Sequence, residues 1–273
     1  MKVENSINTL SLSDGIEIKK SETVLGMVFP FCEKGKIVSF QKNENESVPA
    51  SSWGLSFKSA GGMLFSSEKE NPNRNKFFES FLTKKIISVS LIHSKKVFFI
   101  SNDEEIKNLK NKYYLGDGIV TDNSDYVPTI TVADCVPIYL FNKKTLCRSV
   151  LHSGWKGTGI ASVGIKTICE KTCSSANDIL AAIGPHIGSC CYNVDDDRAT
   201  FFRREFGDAC VLENNHLSLL KANIEVLNRS GISNDRITIL PECTCCNKLF
   251  GSFRREKILN KQDDFTRMVA FVL

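Results

Sequence analysis

The segment of residues 131–159 constrains the fold more than any other part of the chain. It contains two apolar, strand-like runs, at 136–141 and 146–151, and then a glycine-rich turn that opens a helix. Cys135 stands directly before the first run and His152 directly after the second. A thiol and an imidazole are therefore expected at strand ends, where a rigid sheet fixes reactive groups and the adjoining loops leave them open to ligand.

Strand-like runs recur along the rest of the chain. Predicted strands cover 35–40, 53–57, 86–92, 97–100, 127–132, 179–183, 237–240, 250–254 and 268–272, and predicted helices cover 77–82, 103–110, 158–173, 195–206 and 217–229. Because strands and helices do not alternate strictly, we predict an α/β or α+β fold with a mixed sheet. No repeat or proline-rich linker divides the sequence, which predicts a single domain.

Composition excludes several classes of protein. With 273 residues, 42% hydrophobic and 24% charged residues, the chain has the profile of a globular protein. A net charge of +4, without lysines and arginines clustered among aromatic residues, argues against nucleic-acid binding. Eleven cysteines, an odd number in a chain of this size, do not indicate a disulfide scaffold. The N-terminus lacks an apolar signal segment. The sequence also contains no run of about 18 apolar residues, so no membrane span is predicted. We therefore expect a cytoplasmic protein with reduced thiols.

The histidines are few enough to be weighed one by one. Of four in the chain, His93 and His152 follow strand-like segments, as Cys135 precedes one. One thiolate and two imidazoles suit zinc, and three protein ligands leave a fourth position for water or substrate. Spacing alone is weak support, because no local Cys-x-x-Cys or His-x-x-x-His motif joins the ligands, and buried histidines with an inert core cysteine remain the alternative.

Two further groups of residues allow a functional and a structural interpretation. The turn at 154–159 opens a helix, so its backbone N–H groups, Gly157 and the charge of Lys156 could hold a phosphate, although a tight structural turn explains it as well. The thiols at 243–246 resemble a soft-metal or redox cluster, but no second Cys-x-x-Cys pair completes four ligands, so incidental thiols are the alternative. Cys190 and Cys191 are expected to be free thiols, since sequence neighbours rarely form a disulfide.

Several motifs in a fixed order resemble one protein family. They are Gly116-Asp117-Gly118-Ile119-Val120-Thr121, Thr131-Val132-Ala133-Asp134-Cys135-Val136-Pro137, His152-Ser153-Gly154-Trp155-Lys156-Gly157, Ile183-Gly184-Pro185 through Cys191-Tyr192, Cys243-Thr244, Phe253-Arg254-Arg255 and Thr266-Arg267-Met268. The sequence from about residue 53 to the C-terminus is similar to the laccase-domain family, described as multicopper polyphenol oxidoreductases, as peptidoglycan editing factor, and as purine nucleoside phosphorylases with adenosine deaminase activity. Residues 1–52 carry no matching motif and are expected to be part of the same domain as residues 53–273.

The resemblance implies a fold, a metal site and an activity. The fold is a sandwich of mixed β-sheets with helices on the outside. The site is a zinc ion held by His93, Cys135 and His152, and copper is the alternative metal. The activity is phosphorolysis of adenosine, inosine and 5′-methylthioadenosine, together with deamination of adenosine, so the partners are a nucleoside and phosphate. The alternatives are copper-dependent phenol oxidation and editing of peptidoglycan precursors.

Family position and side-chain chemistry suggest roles for the remaining site residues. Asp134 is a candidate proton shuttle, although an aspartate that accepts backbone N–H groups fits equally well. Arg254 and Arg255, like Lys156, could supply charge for phosphate. Cys191 is expected near the metal or in the substrate wall. The family's Val-His-Gly motif is Ile92-His93-Ser94 in this chain, and its Gly-Gly-Val-Ser loop is Gly61-Gly62-Met63-Leu64.

Overall fold

The computed structural model describes residues 6–38, 52–79, 82–111 and 113–273. The strands of these residues are β1 Asn8–Thr9, β2 Ile16–Lys20, β3 Thr23–Glu33, β4 Lys36–Val38, β5 Ser52–Ser56, β6 Lys85–Ser88, β7 Val97–Phe99, β8 Gly118–Thr121, β9 Tyr126–Val132, β10 Val136–Asn142, β11 Arg148–Ser153, β12 Ile179–Ile183, β13 Ile237–Ile239 and β14 Met268–Val272. The α-helices are α1 Pro72–Glu79, α2 Asp103–Asn111, α3 Ile160–Thr172, α4 Asp196–Phe206 and α5 Leu219–Arg229, and a π-helical segment spans Arg254–Leu259.

Both sheets are mixed. The first has the order β1-β13-β12-β10-β11-β8-β7, in which β10 pairs antiparallel with β11 and β12, whereas β12 and β13 are parallel. The second has the order β2-β3-β5-β14-β9-β6, with β4 paired to β3, and only its β6–β9 pair is parallel among the described strands. Strands β1 to β4, from the N-terminal segment, therefore belong to the same two sheets as the rest of the chain.

Alternation along the central strands determines which core each side chain enters. On β10, Ile138 and Leu140 face the layer of helices, while Tyr139 and Phe141 face the other sheet. Successive side chains on a strand point to opposite faces, so a strand that is apolar at every position must be covered on both. The middle core contains the ring of Trp53, 4.9 Å from that of Tyr139, and the Tyr139 hydroxyl donates a hydrogen bond to the Gly54 carbonyl at 3.1 Å.

Helices cover the outer faces of both sheets. Ile160 and Ile165 of α3 pack with Leu227 of α5 in the core outside the first sheet. Phe77 and Phe78 of α1 pack outside the second sheet. The predicted class, a sandwich of mixed sheets with helices outside in one domain, is confirmed. Within the described ranges, no helix combines the length and apolar character needed to cross a membrane.

The chain passes from the second sheet to the first at two neighbouring places. One is the connection between β6 and β7, and the other is the short connection between β9 and β10. His93 lies in the first connection and Cys135 in the second. The fold therefore brings two of the three predicted metal ligands to the junction of the sheets.

Some predicted elements differ from the structure. The strand predicted at 250–254 is wrong, because this stretch is a loop that leads into the π-helical segment Arg254–Leu259. The guanidinium of Arg255 donates hydrogen bonds to the carbonyls of Thr244, Cys245, Asn247 and Phe250, which fixes the loop without a sheet partner. The predicted strand at 35–40 forms over Lys36–Val38, and residues 39 and 40 lie outside the described ranges, as do residues 80 and 81 of the predicted helix at 77–82.

Candidate metal centre and ligand cavity

His93, Cys135 and His152 meet at the junction of the sheets. Their ligand atoms all lie within 4.8 Å of one another, and the two imidazole rings are 5.0 Å apart and nearly perpendicular. His152 belongs to β11 and is 2% exposed, whereas His93 is exposed in a turn with φ of 57°. The structure therefore brings together the three residues that the sequence predicts as ligands.

Asp117 orients the two histidines from the buried side. Its carboxylate accepts the backbone N–H groups of His93 at 2.9 Å and Ser94 at 2.7 Å, and the Ser94 hydroxyl at 2.7 Å. The Nδ1 of His152 lies 3.0 Å from its Oδ1, so an ionised Asp117 makes Nδ1 the donor, and Nε2 is the atom that would bind a metal once the metal displaces its proton. Burial acts to raise the pKa of Asp117, but hydrogen bonds from His152 and Ser94 outweigh it and hold the pKa below its usual value.

Cys135 and His152 form a charged pair. Burial acts to raise the pKa of the Cys135 thiol, but the charge and hydrogen bond of His152, helped by His93, lower the pKa to about 6. Burial also acts to lower the pKa of His152, while Cys135 and Asp117 raise it to about 9. The cysteine is thus held as the thiolate, the form that binds metal.

This donor set fits a metal ion. A thiolate and two imidazoles within reach of one centre match the ligands of an open zinc site, and the carboxylate behind His152 is the usual outer partner of a zinc-bound histidine. Gly154 makes the close packing possible, because a Cβ there would lie 3.0 Å from Cys135 Sγ and 3.3 Å from His93 Cδ2. The same set also suits copper, so the geometry does not select one metal.

Asp134 anchors the loop that carries Cys135. Its Oδ1 accepts the Thr244 hydroxyl at 2.6 Å, and its Oδ2 accepts the backbone N–H of Arg254 at 2.6 Å. The residue has φ of 79° and is 8% exposed. Because both carboxylate oxygens are engaged, the contacts favour the anchoring interpretation of Asp134 over that of a proton shuttle.

The three ligands lie in the wall of a cavity of about 860 Å³. This volume lies within the usual range for small-molecule sites. Aromatic and cationic side chains share the wall: Phe65, Trp155, Tyr192, Phe253, Phe265, Arg198, Arg254 and Arg267. A flat aromatic ligand and an anion can therefore be held side by side next to the tripod.

Two arginines stand over aromatic rings of this wall. The Arg198 guanidinium carbon is 4.3 Å from the Trp155 ring centroid, and that of Arg254 is 5.6 Å from the Tyr192 ring centroid. The Nε of Arg198 is buried and has no hydrogen-bond partner within the described part of the chain. Arg254 donates to the Asn193 carbonyl at 3.3 Å through one nitrogen, Nη2. The Nη1 of Arg198 lies 3.5 Å from the Tyr192 hydroxyl and its Nη2 lies 3.3 Å from the Asp195 carboxylate, so Arg254 keeps more of its donors for a ligand.

Other predicted site residues lie elsewhere. Lys156 is exposed, with its Nζ 5.3 Å from the Trp155 ring centroid, and Gly157 packs against the connection between β6 and β7, where a Cβ would meet the Ser94 carbonyl at 2.9 Å. Arg255 uses its guanidinium to hold the carbonyls of the 244–250 loop. Cys191 lies next to Cys246, with Sγ atoms 3.4 Å apart. None of these four residues lines the cavity.

The sequence reasoning missed Asp117, Arg198 and Arg267 as site residues. Asp117 and Arg267 occur inside motifs that carry the family resemblance, so a signal was present. Arg198, on the first turn of α4, reaches the cavity only because that helix packs beside Trp155, which no local pattern encodes.

Comparison with known proteins identifies the family. The sequence model described as multi-copper polyphenol oxidoreductase laccase matches residues 66–273. The chain belongs to this family, as the motifs predict.

Among the relatives, a purine nucleoside phosphorylase of Clostridium acetobutylicum is 28% identical over 195 residues, which cover 69% of this chain and 79% of the relative. The purine nucleoside phosphorylase YlmD of Geobacillus stearothermophilus is 33% identical over 166 residues, or 57% of this chain and 59% of the relative. The alignment with the mouse purine nucleoside phosphorylase LACC1 is 29% identical and spans 70% of this chain but only 47% of the mouse protein.

Solved structures share the fold. The crystal structure of Bacillus licheniformis hypothetical protein YfiH has a TM-score of 0.71 at 26% identity and covers 85% of this chain and 97% of its own. That of YlmD from Geobacillus stearothermophilus has a TM-score of 0.73 over 94% of this chain and 98% of its own, at 24% identity.

Proposed function

We propose that the protein is a zinc-dependent purine nucleoside phosphorylase that acts on adenosine, inosine and 5′-methylthioadenosine and also deaminates adenosine. The observation that carries this proposal is the tripod of His93, Cys135 and His152 opening into a cavity that combines aromatic rings with arginines. Relatives named purine nucleoside phosphorylase support the same reaction class.

The cavity wall fits both halves of a phosphorolysis reaction. A purine offers a flat π-face for Tyr192 or Phe253, and phosphate is an anion that a guanidinium binds through paired hydrogen bonds. We assign phosphate to Arg198 and Arg254, which approach the same side of the cavity around Tyr192. In the reaction a phosphate oxygen bonds to the anomeric carbon of ribose while the bond from that carbon to the purine breaks, which yields ribose 1-phosphate and the free base.

Protein groups around the tripod would hold reactants and charge in place. Asp117 keeps His152 in one orientation, and Asp134 fixes the loop of Cys135. His93, Cys135 and His152 would hold the zinc ion, which would supply the Lewis acidity that activates water as the nucleophile of deamination. Arg198 and Arg254 would stabilise the charge of phosphate beside it.

Copper-dependent phenol oxidation is the alternative within the same family. Its oxygen-reducing centres need several histidines in one cluster. In the described structure, His186 Nδ1 bonds to the Gly184 carbonyl at 2.8 Å and His216 Nδ1 to the Ser189 carbonyl at 2.5 Å, apart from the tripod. The tripod therefore offers two imidazoles, which favours the phosphorylase.

An assay of the purified full chain tests the proposal. The protein is incubated with inosine or adenosine, with and without phosphate, and free bases, ribose 1-phosphate and inosine are separated by chromatography. We expect base release only with phosphate, inosine formation from adenosine, and, in Cys135→Ser, loss of the tripod's metal and of both activities. Base release without phosphate, or an active Cys135→Ser variant, would contradict the proposal, and oxygen uptake with phenols after copper loading would support the alternative.

A further inference from the structure

The structure contains a second group of possible metal ligands, formed by four cysteines outside the cavity. Cys190 and Cys191 come from the turn after β12, and Cys243 and Cys246 from the loop after β13. Their Sγ atoms all lie within 4.8 Å of one another. We propose that these four thiolates form a structural site for one zinc ion, in addition to the tripod.

The sulfur separations match a tetrahedral ion. With Zn–S bonds of about 2.3 Å, two sulfurs of a tetrahedron stand about 3.8 Å apart. Cys190 Sγ is 3.7 Å and Cys191 Sγ is 3.4 Å from Cys246 Sγ. A disulfide would need about 2.05 Å, and an iron–sulfur cluster would hold its cysteines further apart because inorganic sulfide and several irons lie between them.

Backbone groups around the cysteines are arranged for thiolates. The N–H of Gly188 donates to Cys243 Sγ at 3.2 Å. A Cβ on Gly188 would lie 3.1 Å from Cys190 Sγ and 3.3 Å from Cys243 Sγ, so a larger residue would push these sulfurs away from the turn. An N–H donor stabilises negative charge on sulfur, as is needed where several thiolates share a cation.

In the loop after β13, some cysteines reach the four-cysteine group and another belongs to the hydrophobic core. Cys243 and Cys246 have Cys-x-x-Cys spacing and both reach the cluster, while Cys245 between them is 7% exposed and packs in the hydrophobic core. The second pair of ligands comes from Cys190 and Cys191, which are adjacent rather than spaced. This is why sequence reasoning, looking for a second Cys-x-x-Cys, left these thiols unassigned.

The proposed ion would join two loops that support the cavity. His186 and Cys243 form a parallel bridge, in which Thr244 N–H donates to the His186 carbonyl at 3.0 Å. The first loop carries Ile187 and Tyr192 of the cavity wall, and Thr244 of the second donates to Asp134 beside Cys135. The four-cysteine site thus has a positioning role, whichever reaction the cavity catalyses.

The proposal is tested by measuring the zinc content of the purified protein and by identifying the atoms that bind the zinc. We expect Cys135→Ala to retain about one zinc per chain whose X-ray absorption shows four sulfur neighbours at about 2.3 Å. The double variant C190S/C246S should lose one zinc per chain relative to wild type. Cys173→Ser, which alters an exposed cysteine outside both groups, should lose none.

Two results would overturn the proposal. One is a Cys135→Ala protein without sulfur-bound zinc when purified under reducing conditions with zinc present. The other is C190S/C246S protein that holds as much zinc as wild type. If the double variant does not fold, zinc content and absorption of Cys135→Ala decide the question alone, and loss of the tripod's metal in that variant reports separately on the proposed function.

Discussion

At the scale of single residues, the candidate centre depends on residues that are not themselves metal ligands. Asp117 accepts four hydrogen bonds, from His93, from His152 and from the backbone and hydroxyl of Ser94. The Ser94 hydroxyl gives that carboxylate a side-chain donor in addition to the backbone N–H groups. One buried charge therefore holds the imidazole of His152 and the backbone of the turn that carries His93.

Replacing that charge tests its role. In Asp117→Asn, an amide N–H₂ would face groups that are themselves donors, so we expect the histidines to turn and metal affinity to fall about 10- to 100-fold. Zinc affinity is measured by competition with a chromophoric chelator. Asp122→Asn, at a nearby exposed aspartate, is the control and should bind as wild type does. Equal affinities for Asp117→Asn and wild type would show that the carboxylate does not orient the ligands.

Gly154 is a second residue whose effect is indirect. In Gly154→Ala the new methyl would lie 3.0 Å from Cys135 Sγ, so the ligands must separate by a few tenths of an ångström. We expect zinc affinity to fall on the order of tenfold, about 1.4 kcal/mol, while the protein still folds. Gly62→Ala is the matched control, because a Cβ there meets nothing within 4 Å. Unchanged affinity in Gly154→Ala would contradict the packing argument.

At the scale of elements, the π-helical segment and α4 bring cations to the cavity. Arg254 begins the first element, and Arg198 lies on the first turn of the second. The consecutive Arg255 points away and holds the 244–250 loop instead. Arg254 faces the cavity and Arg255 binds the loop because successive residues of the turn point in different directions, although both are arginines.

The assignment of phosphate to Arg198 and Arg254 predicts a change in the KM for phosphate when one of these arginines is replaced. Arg254→Gln keeps the backbone N–H that binds Asp134 but removes the charge, so KM for phosphate should rise about tenfold with a smaller change in KM for inosine. Lys156→Gln, at the exposed turn, should leave both constants near wild type. The reverse result, with only Lys156→Gln affected, would place phosphate at the 154–159 turn. Initial rates at varied phosphate provide the measurement.

Local sequence signals were sufficient for some elements and not for others. The apolar runs that became β10 and β11 and the amphipathic helix α4 could be predicted, because apolar runs and helical periodicity are local signals. The 250–254 stretch could not, since Arg255 fixes it through carbonyls that lie five to eleven residues earlier. The four-cysteine group was also out of reach, because the pairing of β12 with β13 brings its two halves together.

At the scale of the whole molecule, the two sheets share one core that Tyr139 and Trp53 fill from opposite sides. Tyr139 is fully buried, and its hydroxyl donates to a carbonyl of the facing sheet. This contact joins the first sheet to the second through a polar group in an apolar layer. Its loss removes one hydrogen bond between the sheets.

The cost of losing that bond can be measured. Tyr139→Phe should lower the free energy of unfolding by about 0.5–1.5 kcal/mol, the usual net contribution of one intramolecular hydrogen bond. Tyr113→Phe is the matched control, since Tyr113 is 75% exposed and should unfold as wild type does. Urea titration followed by tryptophan fluorescence reports both, because Trp53 lies against Tyr139. A stability equal to wild type for Tyr139→Phe would mean that the hydroxyl contributes nothing across the sheets.

The position of His93 and Cys135 in the two crossovers between the sheets has a thermodynamic consequence. An ion that binds both residues binds only while the sheets keep their native offset, so it stabilises the native state by mass action, to an extent that grows with free metal concentration. The thermal stability of this fold then depends on the free metal concentration of the solution as well as on the amino-acid sequence. Removing the metal with a chelator would therefore lower the midpoint temperature of unfolding, whether or not substrate is present.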